Sequence, residues 1–123
     1  MRVLLSIKPE FADKILNGTK KYEFRKILFK RRDIKCIVIY ASSPVQAIIG
    51  EFTIANILTS DVDNVWEKTE NGAGISRQYY EEYFATKDTA NAIEVGKYKR
   101  YSKPMKLSDF NLSYAPQSFV YVK

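Results

Sequence analysis

The residues with the clearest potential for chemistry are three charged side chains, Lys20, Glu23 and Arg25, which follow Gly18 in the pattern G-x-K-x-x-E-x-R. From position 22 aromatic and charged residues alternate, which predicts a strand with Glu23 and Arg25 on one face and the aromatic rings on the other. A cation, a carboxylate and a guanidinium held together suit a polar ligand with phosphate or amide groups. The alternative interpretation is a structural ion pair on an exposed strand, beside solvated lysines.

The elements before the motif explain how Lys20 reaches that face. The apolar run 3–7 predicts a first strand, and Pro9 predicts the start of a helix that continues to about Asn17, because proline is tolerated at the first helical position. Gly18 takes a positive φ at little cost. We therefore expect the chain to reverse at Gly18 and to present Lys20 from a turn, on the charged side of the motif strand.

The rest of the chain predicts more strands than helices. Strands are predicted at 22–28, 34–41, 45–58, 91–95, 97–101 and 118–122, and helices at 61–69 and 76–84. Gly50 and Gly96 interrupt apolar runs, and a glycine inside a strand often marks a bulge or bend. Because most strand pairs have short connections, the predicted fold class is α+β: a mixed, mainly antiparallel β-barrel with flanking helices, formed by residues 1–123 as a single domain.

The last predicted helix carries an aromatic stripe. Its members are Tyr79, Tyr80, Tyr83 and Phe84. A stripe at helical spacing is more typical of a hydrophobic core than of a platform for stacked bases. We expect these rings, and Trp66 in the preceding helix, to lie in the core.

The net charge of +6 is unevenly distributed along the chain. Residues 1–35 carry a net charge of +7 and residues 97–123 carry +5, whereas residues 36–96 carry −6. If the two ends meet in space, they form one basic face opposite an acidic one. This is the electrostatic footprint of a nucleic-acid binder, and the alternative is a basic surface that serves only solubility.

Composition excludes several kinds of site. The chain has one cysteine, Cys36, and no histidine, so neither a zinc site nor serine–histidine chemistry is expected. Cys36 lies in an apolar run and is interpreted as a structural thiol, because no histidine is present to activate it. We expect no cofactor or metal. The segment before the first helix is too short for a signal peptide and no run has membrane-spanning length, so we expect a soluble, cytoplasmic protein.

The motif is one of a series of sequence blocks. In chain order these are Ser6-Ile7-Lys8-Pro9, the G-x-K-x-x-E-x-R pattern, Tyr40-Ala-Ser-Ser-Pro44, Ile49-Gly-Glu-Phe52, Trp66, Gly74-Ile-Ser, Tyr83-Phe84 and Pro116-Gln-Ser-Phe119-x-Tyr121. Together they span nearly the whole chain and resemble the ASCH domain, a branch of the PUA-like superfamily. The resemblance is to the small bacterial and archaeal proteins often labelled predicted transcriptional regulators.

This resemblance implies a PUA-like fold with a cleft beside the motif, and RNA or a nucleotide as the partner. Some ASCH proteins resemble ribonucleases, or amidohydrolases that act on modified cytidines. In the amidohydrolase branch a threonine three residues after the motif lysine serves as the nucleophile, and here that position is Glu23. The departure argues against a threonine nucleophile, and Thr19 precedes Lys20 rather than following it.

Eight residues are candidates for ligand binding. Lys20 and Arg25 are expected to meet phosphate, and Lys8 precedes a helix N-terminus whose free N–H groups favour anions. Hydroxyl and amide groups near strand ends are expected to add polar contacts. The full set is Lys8, Lys20, Glu23, Arg25, Ser42, Ser43, Gln117 and Ser118. If the protein is an enzyme, Lys20 is the base or electrostatic stabiliser and Glu23 is the proton carrier.

We expect Lys20, Glu23 and Arg25 to line a concave cleft at one barrel mouth. Ser42 or Ser43 should lie opposite, because the strand end at 40–44 is expected to pair with the motif strand. The leading hypothesis is a module that binds RNA, a nucleotide or a nucleoside in this cleft. Two alternatives stay open: a metal-independent ribonuclease or modified-nucleoside hydrolase, and a protein-interaction regulator. Without histidine, the enzyme needs a strongly shifted pKa to titrate near neutrality. The sequence leaves the oligomeric state open.

Overall fold

One six-stranded sheet and three helices make up the fold. The computed structural model describes all 123 residues. The strands are β1 (Arg2–Ile7), β2 (Tyr22–Arg25), β3 (Cys36–Ala41), β4 (Ala47–Asp61), β5 (Thr89–Met105) and β6 (Phe119–Val122). The helices are α1 (Pro9–Leu16), α2 (Val62–Thr69) and α3 (Arg77–Tyr83), with short 3-10 turns at Glu70–Gly72 and Leu107–Phe110. None of the helices combines the length and apolar character that crossing a bilayer requires.

The sheet has the strand order β2-β5-β4-β3-β1-β6. The β1–β3 pair is parallel and the other ladders are antiparallel. This confirms the α+β class and the mixed, mainly antiparallel sheet. The closed barrel is wrong, because β2 and β6 are both edge strands and share no ladder. The expected ladder between the 40–44 strand end and the motif strand is also wrong, since β3 is paired on its two sides by β1 and β4.

A side chain bridges the gap where a barrel would have closed. Strand β2 is only four residues long, and Arg25 at its end donates from Nη1 to the carbonyl of Ser6 (3.2 Å) and from Nη2 to that of Ser118 (3.3 Å). The backbone of β2 therefore keeps one unpaired edge, which faces a pocket. The motif strand ends at Arg25 rather than at position 28, because the next residues form an irregular basic loop.

The long strands β4 and β5 bend where their pairing shifts. The β4–β5 register changes between Ile48 and Gly50, which confirms the irregularity predicted at Gly50. A Cβ on Gly50 would lie 2.6 Å from the carbonyl oxygen of Lys99, so the two backbones approach more closely there than a side chain allows. The strands predicted at 91–95 and 97–101 form the single strand β5, which continues through Gly96.

The hydrophobic core near the candidate site lies beneath α2 and α3. Trp66, Tyr80 and Phe84 are buried there with Phe24 of β2, which confirms the core assignment of three of the aromatic residues. Tyr79 and Tyr83, one helical position before Tyr80 and Phe84, are only half-buried. The stripe is therefore divided: Tyr79 and Tyr83 line a pocket, and of these two only Tyr83 also packs against this core.

Side-chain caps fix where helices α2 and α3 begin. Asp61 accepts a hydrogen bond from the backbone N–H of Asn64 (3.1 Å), as a residue that precedes a helix commonly does. Ser76 caps α3 in the same way through the N–H of Tyr79 (3.0 Å). Such caps contribute about 1 kcal/mol each. The second one also sets the rotation of α3, and with it the direction in which Tyr79 projects.

Candidate functional site

A pocket of about 210 Å³ lies between the start of α1, the motif strand β2 and helix α3. Three of the four residues of β2 are among those that line it. Twelve residues line it: Ser6, Ile7, Lys8, Phe11, Lys20, Glu23, Phe24, Arg25, Ile75, Tyr79, Tyr83 and Gln117. Apolar and aromatic walls with a few convergent charged groups are typical of small-ligand sites.

Lys20 is the most unusual residue of the pocket, because its side chain is a buried cation. Its residue exposure is 2%, and its Nζ donates a hydrogen bond to the carbonyl of Ala73 (2.6 Å). The ammonium lies 4.8 Å from the ring centre of Phe24 and 5.3 Å from that of Phe11. An ammonium has three N–H donors, so two of them stay available to the pocket. The alternative interpretation of the motif lysines as solvated is therefore wrong for Lys20.

The chain segment that buries Lys20 comes from about 50 residues further along the sequence. The N–H of Lys21 donates to the carbonyl of Gly72 (2.8 Å), which holds the 72–75 loop against the motif. Gly74 adopts φ +69°, and a Cβ there would lie 2.5 Å from Cγ of Lys20. Only glycine therefore permits this close packing. Gly18 adopts φ +85°, so the predicted reversal before the motif is present.

Burial lowers the pKa of Lys20 from 10.5 to about 8. The cause is desolvation, which disfavours the charged form of an amine. The negative charge of Glu23 opposes this effect and the positive charge of Lys14 adds to it. Lys20 is therefore still mostly protonated at pH 7, but it releases its proton near pH 8, far below the pH at which an exposed lysine does so. This supplies a group that titrates near neutrality in a protein without histidine.

Glu23 and Arg25 form a buried ion pair on the predicted face of β2. Arg25 Nη1 lies 3.1 Å from Oε2 of Glu23, and both side chains are about nine-tenths buried. Arg25 Nη2 also donates to Oγ of Ser118 (3.0 Å). Because both terminal nitrogens of Arg25 already have protein acceptors, the guanidinium holds β2 beside β1 and β6 while adding positive charge to the pocket. The interpretation as an exposed pair is wrong.

Two half-buried tyrosines on α3 form one wall of the pocket. The rings of Tyr79 and Tyr83 are nearly parallel, at 15°, with their centres 6.5 Å apart. Lys8 Nζ lies 5.2 Å from the centre of the Tyr79 ring, and Lys26 Nζ lies 4.6 Å from that of Tyr83. These distances are within the range of cation–π attraction. A hydrogen bond with Tyr79 also raises the pKa of Lys8, so Lys8 remains charged at neutral pH.

The structure brings five of the eight candidate residues together. Lys8, Lys20, Glu23, Arg25 and Gln117 line the pocket. Their roles in binding stay predictions.

The other three candidates lie outside the lining. Ser118 lies behind the pocket, where it accepts from Arg25. Ser42 and Ser43 lie in the turn after β3, and neither lines the pocket, so their expected place opposite the motif is wrong. The reason is the strand order, which separates β3 from β2 by two strands.

Sequence reasoning missed the aromatic wall. Tyr79 and Tyr83 are four residues apart and share one helix face, whereas Tyr80 and Phe84 share the next face. Because an apolar face about 100° wide commonly packs against a core, two adjacent pairs of rings did not signal a pocket wall. Phe11 and Ile75, which complete the apolar lining, carried no signal either.

Two other features lie away from this pocket. A cavity of about 480 Å³ is lined by residues near both chain ends: Met1, Arg2, Met105, Asp109, Phe110, Asn111, Leu112, Tyr121, Val122 and Lys123. It contains none of the motif residues. Cys36 is half-buried and its Sγ lies 3.6 Å from Glu51, and burial raises the pKa of its thiol to about 11. The thiol is therefore a poor nucleophile at neutral pH, in agreement with a structural role.

Comparison with known proteins assigns the family. The model of the ASCH domain matches residues 5–99. The chain belongs to the ASCH domain family, as its sequence blocks predicted. A solved structure, the crystal structure of ASCH from Zymomonas mobilis, superposes with a TM-score of 0.90 at 28% identity, covering 99% of this chain and 87% of that one.

Two curated relatives show how far the similarity extends. An ASCH domain-containing ribonuclease from Zymomonas mobilis is 35% identical over 90 residues, which is 73% of this chain and 61% of the ribonuclease. A protein named ATP synthase subunit alpha, from Ureaplasma parvum, is 32% identical over 122 residues, which is 98% of this chain and 15% of that protein. The chain thus spans less than two thirds of the length of either relative.

Proposed function

We propose that this ASCH domain binds RNA and holds one nucleotide unit in the pocket around Lys20. The observation that carries the proposal is the buried ammonium of Lys20, which faces a cavity with two donors unused. An anionic group of a ligand would offset the cost of burying this cation, and phosphate is the group that lysine commonly binds. The Zymomonas mobilis relative named as a ribonuclease supports RNA as the ligand.

The size and lining of the pocket favour one nucleotide unit. Its volume of about 210 Å³ is below the range of about 300–1,000 Å³ that is usual for drug-sized ligands. A single base or nucleoside fits this space, and the rest of an RNA chain would lie outside. Tyr79, Tyr83 and Phe11 offer ring surfaces to a base, while Lys20 and Arg25 supply positive charge.

Titration of the protein with RNA tests this proposal. Fluorescently labelled single-stranded RNA of about ten nucleotides and mixed sequence is titrated at 50 and 200 mM salt. We expect binding that weakens as salt increases, because phosphate contacts release counterions. Lys20→Met should abolish or strongly weaken binding, whereas Lys103→Met, which removes an exposed lysine on β5, should not. If the wild type binds no RNA at low salt, or if Lys20→Met binds RNA as tightly as the wild type, the proposal is wrong.

RNA cleavage is the second candidate function, and the lowered pKa of Lys20 favours it. A neutral Lys20 amine would take the proton of a ribose 2′-hydroxyl, whose oxygen then attacks the adjacent phosphorus. The bond from phosphorus to the 5′-oxygen breaks, and Glu23 would carry the proton that Lys20 has taken up to this leaving oxygen. Arg25 and Lys8 would stabilise the negative charge that develops on the phosphate. The products are a 2′,3′-cyclic phosphate and a free 5′-hydroxyl.

Two substrates and one conservative variant test cleavage. RNA should be cut at a rate that rises with pH and levels off above about pH 8, where Lys20 is neutral. The same oligonucleotide with a 2′-deoxyribose at the scissile position should resist, because it lacks the attacking hydroxyl. Lys20→Arg keeps the positive charge but cannot act as a base. An arginine variant that cleaves as fast as the wild type excludes Lys20 as the base and leaves only an electrostatic role.

Other functions considered from the sequence have less support. Hydrolysis of a modified nucleoside, free nucleotide binding and a protein-interaction role are each compatible with a small polar pocket, but no further observation favours them. No observation favours regulation linked to transcription either, since the relative from Zymomonas mobilis is named as a ribonuclease. A cytoplasmic location follows from the proposed RNA ligand and stays part of this proposal.

A further inference from the structure

A strip of four side chains runs along the mouth of the pocket. Its contacts give the order Lys8, Tyr79, Tyr83, Lys26, because each lysine lies over one of the two neighbouring rings. Both lysines are exposed and both tyrosines are half-buried. Lys26 lies outside the pocket lining, over the ring of Tyr83. We call these four residues the lysine–tyrosine strip.

We propose that the lysine–tyrosine strip is a track for single-stranded RNA, which crosses the pocket mouth from Lys8 to Lys26. This inference rests on the proposed function and names its substrate class. An unpaired base enters the pocket against the tyrosine wall, and the phosphates on its two sides contact the two lysines. Free nucleotides would use only the pocket, and a duplex would not supply an unpaired base.

The positions of the two lysines, each above a tyrosine ring, support the track. An ammonium above an aromatic ring is held near the pocket by the ring face, which occupies none of its N–H donors. Lys8 uses one donor for its hydrogen bond with Tyr79, and an ammonium has three. Both stems are flexible and exposed, so each ammonium can move from its ring to a phosphate. This movement would uncover the ring surface, on which an approaching base could then stack.

The small size of the pocket also supports the track. It accommodates about one base, so neighbouring nucleotides must lie on the surface beside it. Lys8 lies at the Tyr79 end of the tyrosine wall, and Lys26 lies at the Tyr83 end. Single-strand binding sites commonly combine aromatic side chains, on which unpaired bases stack, with a positive groove along the backbone. The strip has both components, in alternating order.

The test compares salt dependence among matched lysine variants. Lys8→Ala, Lys26→Ala and the control Lys103→Ala are titrated with the same single-stranded RNA at several salt concentrations. The slope of log K against log salt is negative, and each strip variant should make it shallower by about 0.7. This is the value for one phosphate contact on a single strand. The control slope should stay unchanged. Tyr83→Leu should weaken binding about 5- to 150-fold, as loss of one stacked base does.

The outcomes separate this inference from the proposed function. If either strip lysine variant has the slope of the control while Lys20→Met still abolishes binding, the track is wrong and the pocket remains the RNA site. If a duplex of the same sequence binds as tightly as the single strand, the track is also wrong. If the wild type binds no RNA at all, the proposed function fails, and the track fails with it.

Discussion

The replacement of Lys20 by methionine has an effect on stability whose size follows from the structure. Methionine keeps the approximate length of the side chain and removes its charge. The fall in the pKa of Lys20 from 10.5 to about 8 means that the folded state disfavours the protonated ammonium by about 3 kcal/mol, since one pKa unit equals about 1.4 kcal/mol. The variant is free of this cost. It instead leaves the carbonyl of Ala73 without its partner, which costs about 1–3 kcal/mol.

The sign of the pH dependence distinguishes this effect from ordinary packing changes. Below pH 8 Lys20 is protonated in both the folded and unfolded states, so the wild type carries the full cost. Between pH 8 and 10.5 the unfolded chain binds the proton more tightly, so the wild type gains stability as pH rises. Relative to Lys20→Met, this gain should be about 2 to 3 kcal/mol between pH 7 and 10.

Urea denaturation of the two proteins at several pH values measures the difference. Other groups that titrate in this range are common to both proteins and cancel. Lys103→Met serves as the control for removal of one surface charge. A difference in free energy of unfolding that stays constant from pH 7 to 10 would refute the claim that burial shifts the proton affinity of Lys20.

Three further predictions concern the surroundings of the site. Gly74→Ala should lower the free energy of unfolding by at least about 2 kcal/mol, since positive φ alone costs an alanine about 1–2 kcal/mol, and it should weaken RNA binding because the new methyl displaces Lys20. Gly18→Ala, which is also strained but whose new methyl would meet Tyr98 rather than Lys20, should retain RNA binding. Equal loss of binding in both variants would contradict this assignment. Glu23→Ala should cost about 3–5 kcal/mol in urea denaturation, because it leaves a buried guanidinium without its carboxylate, and a cost below 1 kcal/mol would contradict the buried pair. Alkylation of Cys36 by iodoacetamide at pH 8 should be roughly 100-fold slower than that of a model thiol, because little thiolate is present; a rate equal to the model thiol would contradict the raised pKa.

The local geometry of the motif could be predicted from the sequence. Alternation of charged and aromatic residues placed Glu23 and Arg25 on one face of a strand, and Gly18 indicated the reversal before Lys20. These features depend on neighbouring residues only, so periodicity and backbone preferences are sufficient to predict them.

The burial of Lys20 could not be predicted in this way. It depends on the 72–75 loop, whose carbonyl groups and glycine backbone approach the motif from a distant part of the chain. The prediction that the sheet closes into a barrel was wrong for a related reason. The sequence indicates strands but not which edges pair, and here Arg25 takes the place of the final ladder. Ser42 and Ser43 were misplaced because their position depended on that pairing.

The most direct test of the central claim is an NMR titration of the isotopically labelled, assigned protein with a single-stranded RNA hexanucleotide. The account predicts that amide shifts concentrate around the pocket, at Ile75, Tyr79, Tyr83 and the motif strand β2. It also predicts that these shifts are absent in Lys20→Met, whose spectrum otherwise shows a folded protein. Shifts that concentrate instead at the cavity near the chain ends, around Met105 and Leu112, or no shifts at low salt, would contradict the assignment of the pocket as the RNA site.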